Sequence, residues 1–293
     1  MAVFRSPSTD GFELLTSLSG RARIGTLAFD FWPGPVSRFD HGNALIVDLL
    51  AGTLESVTDL ALFGGANALA IESAPGVWEI VQAGSAELIA PGRYRLTRFL
   101  RGQRGTEGAI GNPAPAGARV VVLDSALASL PIAEADLGIP WNWRIGPASR
   151  PVGDETYVAA SFTPAGAGLR PFSVGHVEQP WRRPRSPGDL AIRWTRRSRA
   201  LSADNWGAVE VPLGEELESY EVEILDPGSS PGQAPLTVKR VLSTAITSVT
   251  YTAADQTADW GALLGPGNSL TIRIVQLSAR VGRGAVKTVT LTF

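Results

Sequence analysis

No apolar run in this sequence lasts long, and that constrains the fold more than any other feature. Thirty-two glycines and 21 prolines are spread along 293 residues. They leave short apolar stretches bounded by turn residues, which read as strands rather than as helices. Many short strands with Gly and Pro between them point to sandwiches or barrels. Apolar residues make up 44% of the chain and charged residues only 18%, so a large core can form. The length admits two ordinary domains. The fold class predicted is all-β.

Residues 1–128 read as one β-rich domain, sandwich or barrel-like. Glu13–Ser17 and Arg21–Phe29 are strand candidates parted by Ser19-Gly20, and Phe31-Trp32-Pro33-Gly34-Pro35 is a rigid aromatic turn. Ala44–Leu50 has the length of a buried strand, interrupted only by Asp48. Leu60–Phe63, Leu69–Glu72, Trp78–Gln82 and Ala86–Ile89 follow, divided by Gly64-Gly65, Pro75-Gly76 and Gly84. Arg119–Leu123 is strongly β-forming.

Arg93–Glu107 stands out within this domain. Arg93 and Arg95 alternate with Tyr94 and Leu96, as on a half-buried strand. The alternation slips at Arg98-Phe99, which predicts a bulge, and Gly102 and Gly105 allow a turn-rich exit. Arginines fall at 93, 95, 98, 101 and 104. Guanidinium forks suit phosphate or nucleic acid, but they also brace loop carbonyls and carboxylates. A formal net charge of -2 puts no basic field behind the patch. Bracing is therefore the preferred reading, with Glu107 as the expected partner of Arg101, and no nucleic-acid partner is expected. Lys239 and Lys287 are the sole lysines, a bias we read as genomic base composition.

This stretch resembles the Tyr-x-Leu-x-x-Leu-Leu-Arg-Gly-x-x-Gly-Thr-Glu signature of the large tail-tip, or baseplate hub, proteins of long-tailed phages and gene transfer agents. The match runs through Tyr94, Leu96, Leu100, Arg101, Gly102, Gly105, Thr106 and Glu107, with Phe99 where Leu is usual. Gly76-Val77-Trp78-Glu79 and Leu169-Arg170-Pro171-Phe172-Ser173 extend the likeness. The resemblance implies the C-terminal part of a longer hub protein, synthesised in the host cytoplasm and built into the virion at the tail tip. It also implies a homotrimer whose partners are other tail or baseplate proteins and a host cell-surface glycan or protein. The implied role is structural, with no enzymatic activity and no cofactor.

Residues 129–185 carry eight prolines and a set of aromatics: Trp141, Trp143, Tyr157, Phe162, Phe172 and Trp181. A flexible linker would be poor in aromatics, so an ordered connecting strap is expected. In residues 186–293, Leu190, Ile192 and Trp194 alternate with polar neighbours, as do Tyr220, Val222 and Ile224. Leu236/Val238, Val249/Tyr251, Leu270/Ile272/Ile274 and Val289/Leu291 supply further strands. The segments 269–278 and 285–292, joined through Gly282-Arg283-Gly284, read as a hairpin. This C-terminal domain resembles a fibronectin type III β-sandwich, with a tryptophan on an early strand and no disulfide.

Candidate chemistry is thin. There is no cysteine, which removes thiol catalysis and cysteine zinc sites. His41 lies in a turn sequence and His176 stands alone, so no metal site is expected. Gly228-Ser229-Ser230-Pro231-Gly232 fits a nucleophile-elbow pattern, yet both histidines precede it and its Pro-Gly flank suits a loop. Asp154-Glu155 and Glu215-Glu216 are adjacent acids, whereas glycosidase carboxylates face each other from separate elements. A hydrolase is accordingly an outside alternative. Arg193, Arg196, Arg197 and Arg199 have Glu210, Glu215, Glu216 and Glu218 to pair with. Trp141, Trp143, Trp181 and Trp206 are the candidates for the other alternative, a glycan-binding surface; burial in the strap is the expectation for the first three. Met1–Pro7 has no apolar core of a signal peptide, and no apolar run nears the ~20 residues of a membrane span.

Overall fold

A computed structural model describes residues 1–179, 188–199, 211–226 and 237–293. Trp181, Trp206, Glu210, Leu236 and the Gly228–Gly232 segment lie outside the described residues. The chain divides into two compact units, Met1–Gly166 and Ala167–Phe293. The all-β expectation holds, with 41% strand against 9% helix among the described residues.

The first unit contains ten strands: β1 (Ala2–Ser6), β2 (Glu13–Ser17), β3 (Ile24–Leu27), β4 (Leu45–Leu49), β5 (Ala68–Ala74), β6 (Val77–Ala90), β7 (Arg93–Leu100), β8 (Arg119–Val122), β9 (Trp141–Gly146) and β10 (Val158–Phe162). Strands β3 to β8 close into an antiparallel barrel of order β3-β4-β7-β6-β5-β8. A barrel of so few strands is narrow enough to be filled by side chains. Leu27, Leu45, Val47, Leu69, Ile71, Val81, Tyr94, Leu96, Phe99, Val120 and Val122 form its interior. The barrel settles the open choice between sandwich and barrel for this region.

Two elements differ from their sequence reading. Leu60–Phe63 is not a strand but belongs to a short helix, α1 (Asp59–Phe63). Thr58 caps it by accepting from the Ala61 N–H at 3.3 Å, and capping by a threonine just before the first turn outweighs the apolar run. Trp78–Gln82 and Ala86–Ile89 are one strand, β6, running straight through Gly84. The Arg98 guanidinium fills the space that a Cβ at Gly84 would take, so glycine serves close approach here and not a turn.

A second sheet in this unit has the order β10-β9-β1-β2. Its outer strands come from the N-terminus and from the proline-rich region, so 129–185 is not a single strap. Strand β9 pairs with Ala2–Ser6 and β10 with β9, while Val174 and Val177 enter the core of the second unit.

The second unit holds β11 (Leu190–Arg193), β12 (Tyr220–Asp226), β13 (Thr237–Thr244), β14 (Ser248–Tyr251), β15 (Ser269–Ser278), β16 (Gly282–Arg283) and β17 (Lys287–Thr292). One sheet runs β13-β12-β15 with β17 on the far side of β15. The other pairs β11 with β14, and Val177 bridges to Trp194 on its free side. Their apolar faces meet over Leu190, Ile192, Trp194, Tyr220, Val222, Ile224, Tyr251, Ile272 and Ile274, which makes a β-sandwich. Trp194 is interior, edge-on to Tyr220 at 5.1 Å. Between β14 and β15 lies a helix that strand periodicity passes over, α2 (Ala253–Trp260). Thr252 accepts from the Asp255 N–H at 3.0 Å, and Gly261 closes the helix at φ 79°.

Candidate functional site

The signature stretch builds the most tightly tied group of side chains in the barrel. Tyr94, Leu96 and Phe99 face the core, so the alternation does slip between Leu96 and Phe99. Arg98 absorbs the slip by taking φ 60°, and β7 stays in register with β6 from Thr97 to Leu100, so the expected bulge does not form against β6; that pairing shifts at Leu88 and Ala90 instead. Leu100 ends β7, and Arg101 then turns inward with no exposed side-chain surface.

A guanidinium cannot lose its charge, so its burial requires several acceptors. Arg101 Nε and Nη2 donate to Glu79 Oε1 and Oε2 at 2.7 and 2.9 Å. Its Nη1 donates to the Trp32 carbonyl at 2.9 Å and to Asp40 Oδ2 at 3.3 Å. The Gly102 N–H donates to Glu79 Oε1 at 3.2 Å. The Phe31 ring lies 3.9 Å from the guanidinium carbon and packs edge-on against Phe99. The expectation that Glu107 would hold Arg101 is corrected: Glu79, from β6, takes the fork. Glu107 instead lies against Gly102, its Cα 2.8 Å from where a Cβ would stand.

Asp40 ties a further loop into this group. Its carboxylate accepts from the backbone of Gly42 and Asn43 at 3.1 and 3.2 Å and from Asn43 Nδ2 at 2.8 Å. Burial pushes its pKa up, but the bonds from Asn43, Gly42 and Arg101 together hold it below the usual carboxylate value. The Asp40 carboxylate and Arg101 Nη1 fill the space beside Gly34, so only glycine fits there. Thr106 Oγ1 donates to the Gln103 carbonyl at 2.8 Å and accepts from the Ile80 N–H at 2.9 Å, pinning the turn to β6. Gly102 and Gly105 have φ 57° and 81°, and Arg104 has φ 54°.

The neighbouring arginines also face carboxylates and carbonyls. Arg93 forks Asp48 at 2.6 and 2.8 Å and holds that carboxyl below its ordinary value. Arg98 pairs with Asp59 and donates to the Val57 and Gly84 carbonyls at 2.7 and 3.0 Å. Arg95 lies 3.9 Å from Glu87. In the sandwich, Arg196 pairs with Glu218 and Arg199 with Glu215, each at 2.9 Å. Arg197 lies over the Phe172 ring.

The other candidates are scattered. Trp141 and Trp143 sit on β9. Trp143 is 4% exposed and offers no open face, and Trp141 is half-buried with the Arg5 guanidinium 4.3 Å above its ring. Asp154 accepts from Thr156 N and Oγ1, which lowers its pKa, and lies 3.8 Å from Arg150. Glu216 lies 3.8 Å from Arg280. His41 packs on Phe39, and the His176 carbonyl accepts from Thr195 N. Among the described residues no group of three His, Cys, Asp or Glu could hold a metal ion, and no helix is long and apolar enough to cross a membrane.

Sequence reasoning missed Glu79, Asp40 and Phe31 as partners of Arg101. For Glu79 a signal existed: it shares strand parity with Val81 and Ala83, which places a carboxylate on the core face and demands a cation. For Asp40 there was none, because its approach depends on how distant loops fold together.

A family model described as Rcc01698-like, C-terminal, matches residues 22–121. That family is linked to gene transfer agent and phage tail proteins. The matched span, 100 of 293 residues, coincides with the closed barrel. No curated protein matches the chain.

Proposed function

We propose that this chain is the C-terminal region of a tail-tip, or baseplate hub, protein of a phage or gene transfer agent, with a structural role and no enzymatic activity. The observation that carries the reading is the coincidence of three things in the barrel: the family match, the signature residues and the buried Arg101 group. The signature's polar side chains brace the barrel's own loops, as a rigid assembly module requires. The second unit supports the same reading as a fibronectin type III-like module. β11 and β14, with the Val177 bridge beside β11, stand on one side, and β13, β12, β15 and β17 on the other. Rigid modules of this kind position contact loops toward baseplate partners and a host surface. In a homotrimer, repetition strengthens weak contacts.

An epitope tag after Phe293, located by immunogold on purified particles, tests the assignment. Label at the tail tip is expected; particles without the protein, or label on the capsid, would overturn it. Incubation with peptidoglycan and host polysaccharide should release no reducing ends. Release that Asp154→Asn or Glu216→Gln abolishes would overturn the non-enzymatic part.

A further inference from the structure

The turn between β1 and β2 holds the one Asp-Gly pair of the sequence, Asp10-Gly11, and Asn-Gly does not occur. Both residues are exposed. Gly11 has φ 63° and nothing within 4 Å of where a Cβ would stand, so nothing crowds its nitrogen from that side. Among the described residues the Gly11 N–H makes no backbone bond. The Asp10 carbonyl, by contrast, is surrounded by donors. Ser6 Oγ donates to it at 2.5 Å, and Ser8 Oγ lies 3.0 Å away. The Ser8 hydroxyl also lies 2.8 Å from Asp10 Oδ1, and the Ser8 N–H donates to Ser6 Oγ at 3.2 Å. Ser6 ends β1 and is 2% exposed, so this set of bonds is anchored in the sheet.

We propose that Asp10 is a self-modification site, where the turn promotes conversion of aspartate to isoaspartate. The Gly11 nitrogen attacks Cγ of the protonated Asp10 carboxyl. An N–C bond forms, the Cγ–OH bond breaks, and the OH leaves with the amide proton as one water, closing a succinimide ring. One water then adds back at the α-carbonyl of Asp10, breaking its bond to the Gly11 nitrogen. The chain now runs through Cβ, the α-carboxylate is free, and the mass is unchanged. The serines act on the first step. A donor on the Asp10 carbonyl draws electron density from the amide and makes the Gly11 N–H more acidic. A donor on the carboxyl offsets the negative charge that builds as nitrogen attacks. The product lengthens the backbone of the turn and removes the carbonyl that Ser6 and Ser8 hold. That change falls on β2, an edge strand held from one side only, by β1. The proposal stands on the turn alone and is independent of the tail-tip reading.

The test is to age the purified chain for weeks at mildly acidic pH and then digest it with trypsin. The peptide Ser6–Arg21 should show a second chromatographic peak of identical mass that an isoaspartyl methyltransferase methylates. A transient species lighter by one water should precede it. A synthetic peptide of the same residues, aged beside the chain, reports the reaction without the fold. The folded chain should convert about fivefold faster, the rate equivalent of one hydrogen bond. Ser8→Ala, at an exposed position, and Ser6→Ala should each lose most of that advantage, with the circular dichroism spectrum unchanged for Ser8→Ala. An aged chain without isoaspartate at Asp10, or one that converts no faster than the free peptide, would overturn the proposal. The full wild-type rate in both serine variants would overturn it too.

Discussion

In the barrel, Arg101 and Glu79 have no solvent-exposed side-chain surface. In the sandwich, the comparable forks are half-open: Arg240 on Asp259 is 29% exposed, and Arg283 between Glu221 and Glu223 is 47% exposed. The sandwich interior is instead closed by Trp194, Tyr220 and Tyr251, and the two tyrosine hydroxyls donate to Glu218 and Asp259 at its margin. Burial pushes both phenols up in pKa. The two units thus locate their loops by different physics. A buried ion group tolerates one arrangement, because any partner withdrawn leaves an uncompensated charge. An aromatic core is held by area and shape, and its surface ion pairs contribute little.

Arg101→Ala should give the largest effect. It strands the Glu79 and Asp40 carboxylates, and losing one partner of a buried pair costs about 3–5 kcal/mol. Urea unfolding followed separately for each unit should show the barrel transition shifted and the sandwich transition in place. A barrel of unchanged stability would erase the contrast.

Trp194→Ala should do the reverse, destabilising the sandwich by about 3 kcal/mol and sparing the barrel. Intrinsic fluorescence and thermal melting report both. An unmoved sandwich transition would mean that Trp194 is not a core anchor.

Acid should act on both units through depressed carboxylates. Asp40 is held down, against its burial, by Asn43, Gly42 and Arg101; Asp259 is held down first by the Arg240 fork. A folded pKa below the ordinary 3.8 gives a contribution that is complete above that value and is lost as pH falls through the folded value. Asp40→Asn should flatten the acid limb of barrel stability, and Asp259→Asn that of the sandwich. An acid limb of unaltered slope in either variant would show that the carboxylate does not carry the dependence.

Arg119→Ala should change least. Arg119 forks Glu72 in the open at 2.5 and 2.6 Å, and together with the Gly76 N–H it holds the Glu72 pKa at about 2. The unfolding midpoint at neutral pH should fall by less than in Arg101→Ala, while the Glu72 carboxyl, followed by NMR titration, rises toward its ordinary 4.5. A midpoint displaced as far as that of Arg101→Ala would place a surface pair in the class reserved here for Arg101.

Much of this molecule was legible from one dimension. Apolar parity along Tyr94–Leu96, Leu190–Trp194 and Tyr220–Ile224 marked the faces that turned inward, because strand period depends on neighbours alone. The slip at Arg98 was visible for the same reason. The helix at Ala253–Trp260 was legible too, through Thr252, Asp255 and Gly261, but its short span lies between stronger strand signals. Other features depended on residues far apart in the chain. Gly84 looked like a break because nothing nearby announced that Arg98 would fill its side. Trp141 and Trp143 looked like loop aromatics because their partner strand, Ala2–Ser6, lies more than a hundred residues earlier. Strand content, the inward faces and the arginine-rich turn are matters of local periodicity and backbone freedom, and one dimension carries them. That six strands close into a barrel, and that Arg101 meets Glu79 and Asp40 rather than Glu107, comes from contacts between distant segments. A buried charge is satisfied by whichever acceptors the completed fold brings within hydrogen-bonding distance, and spacing along the chain does not encode that distance.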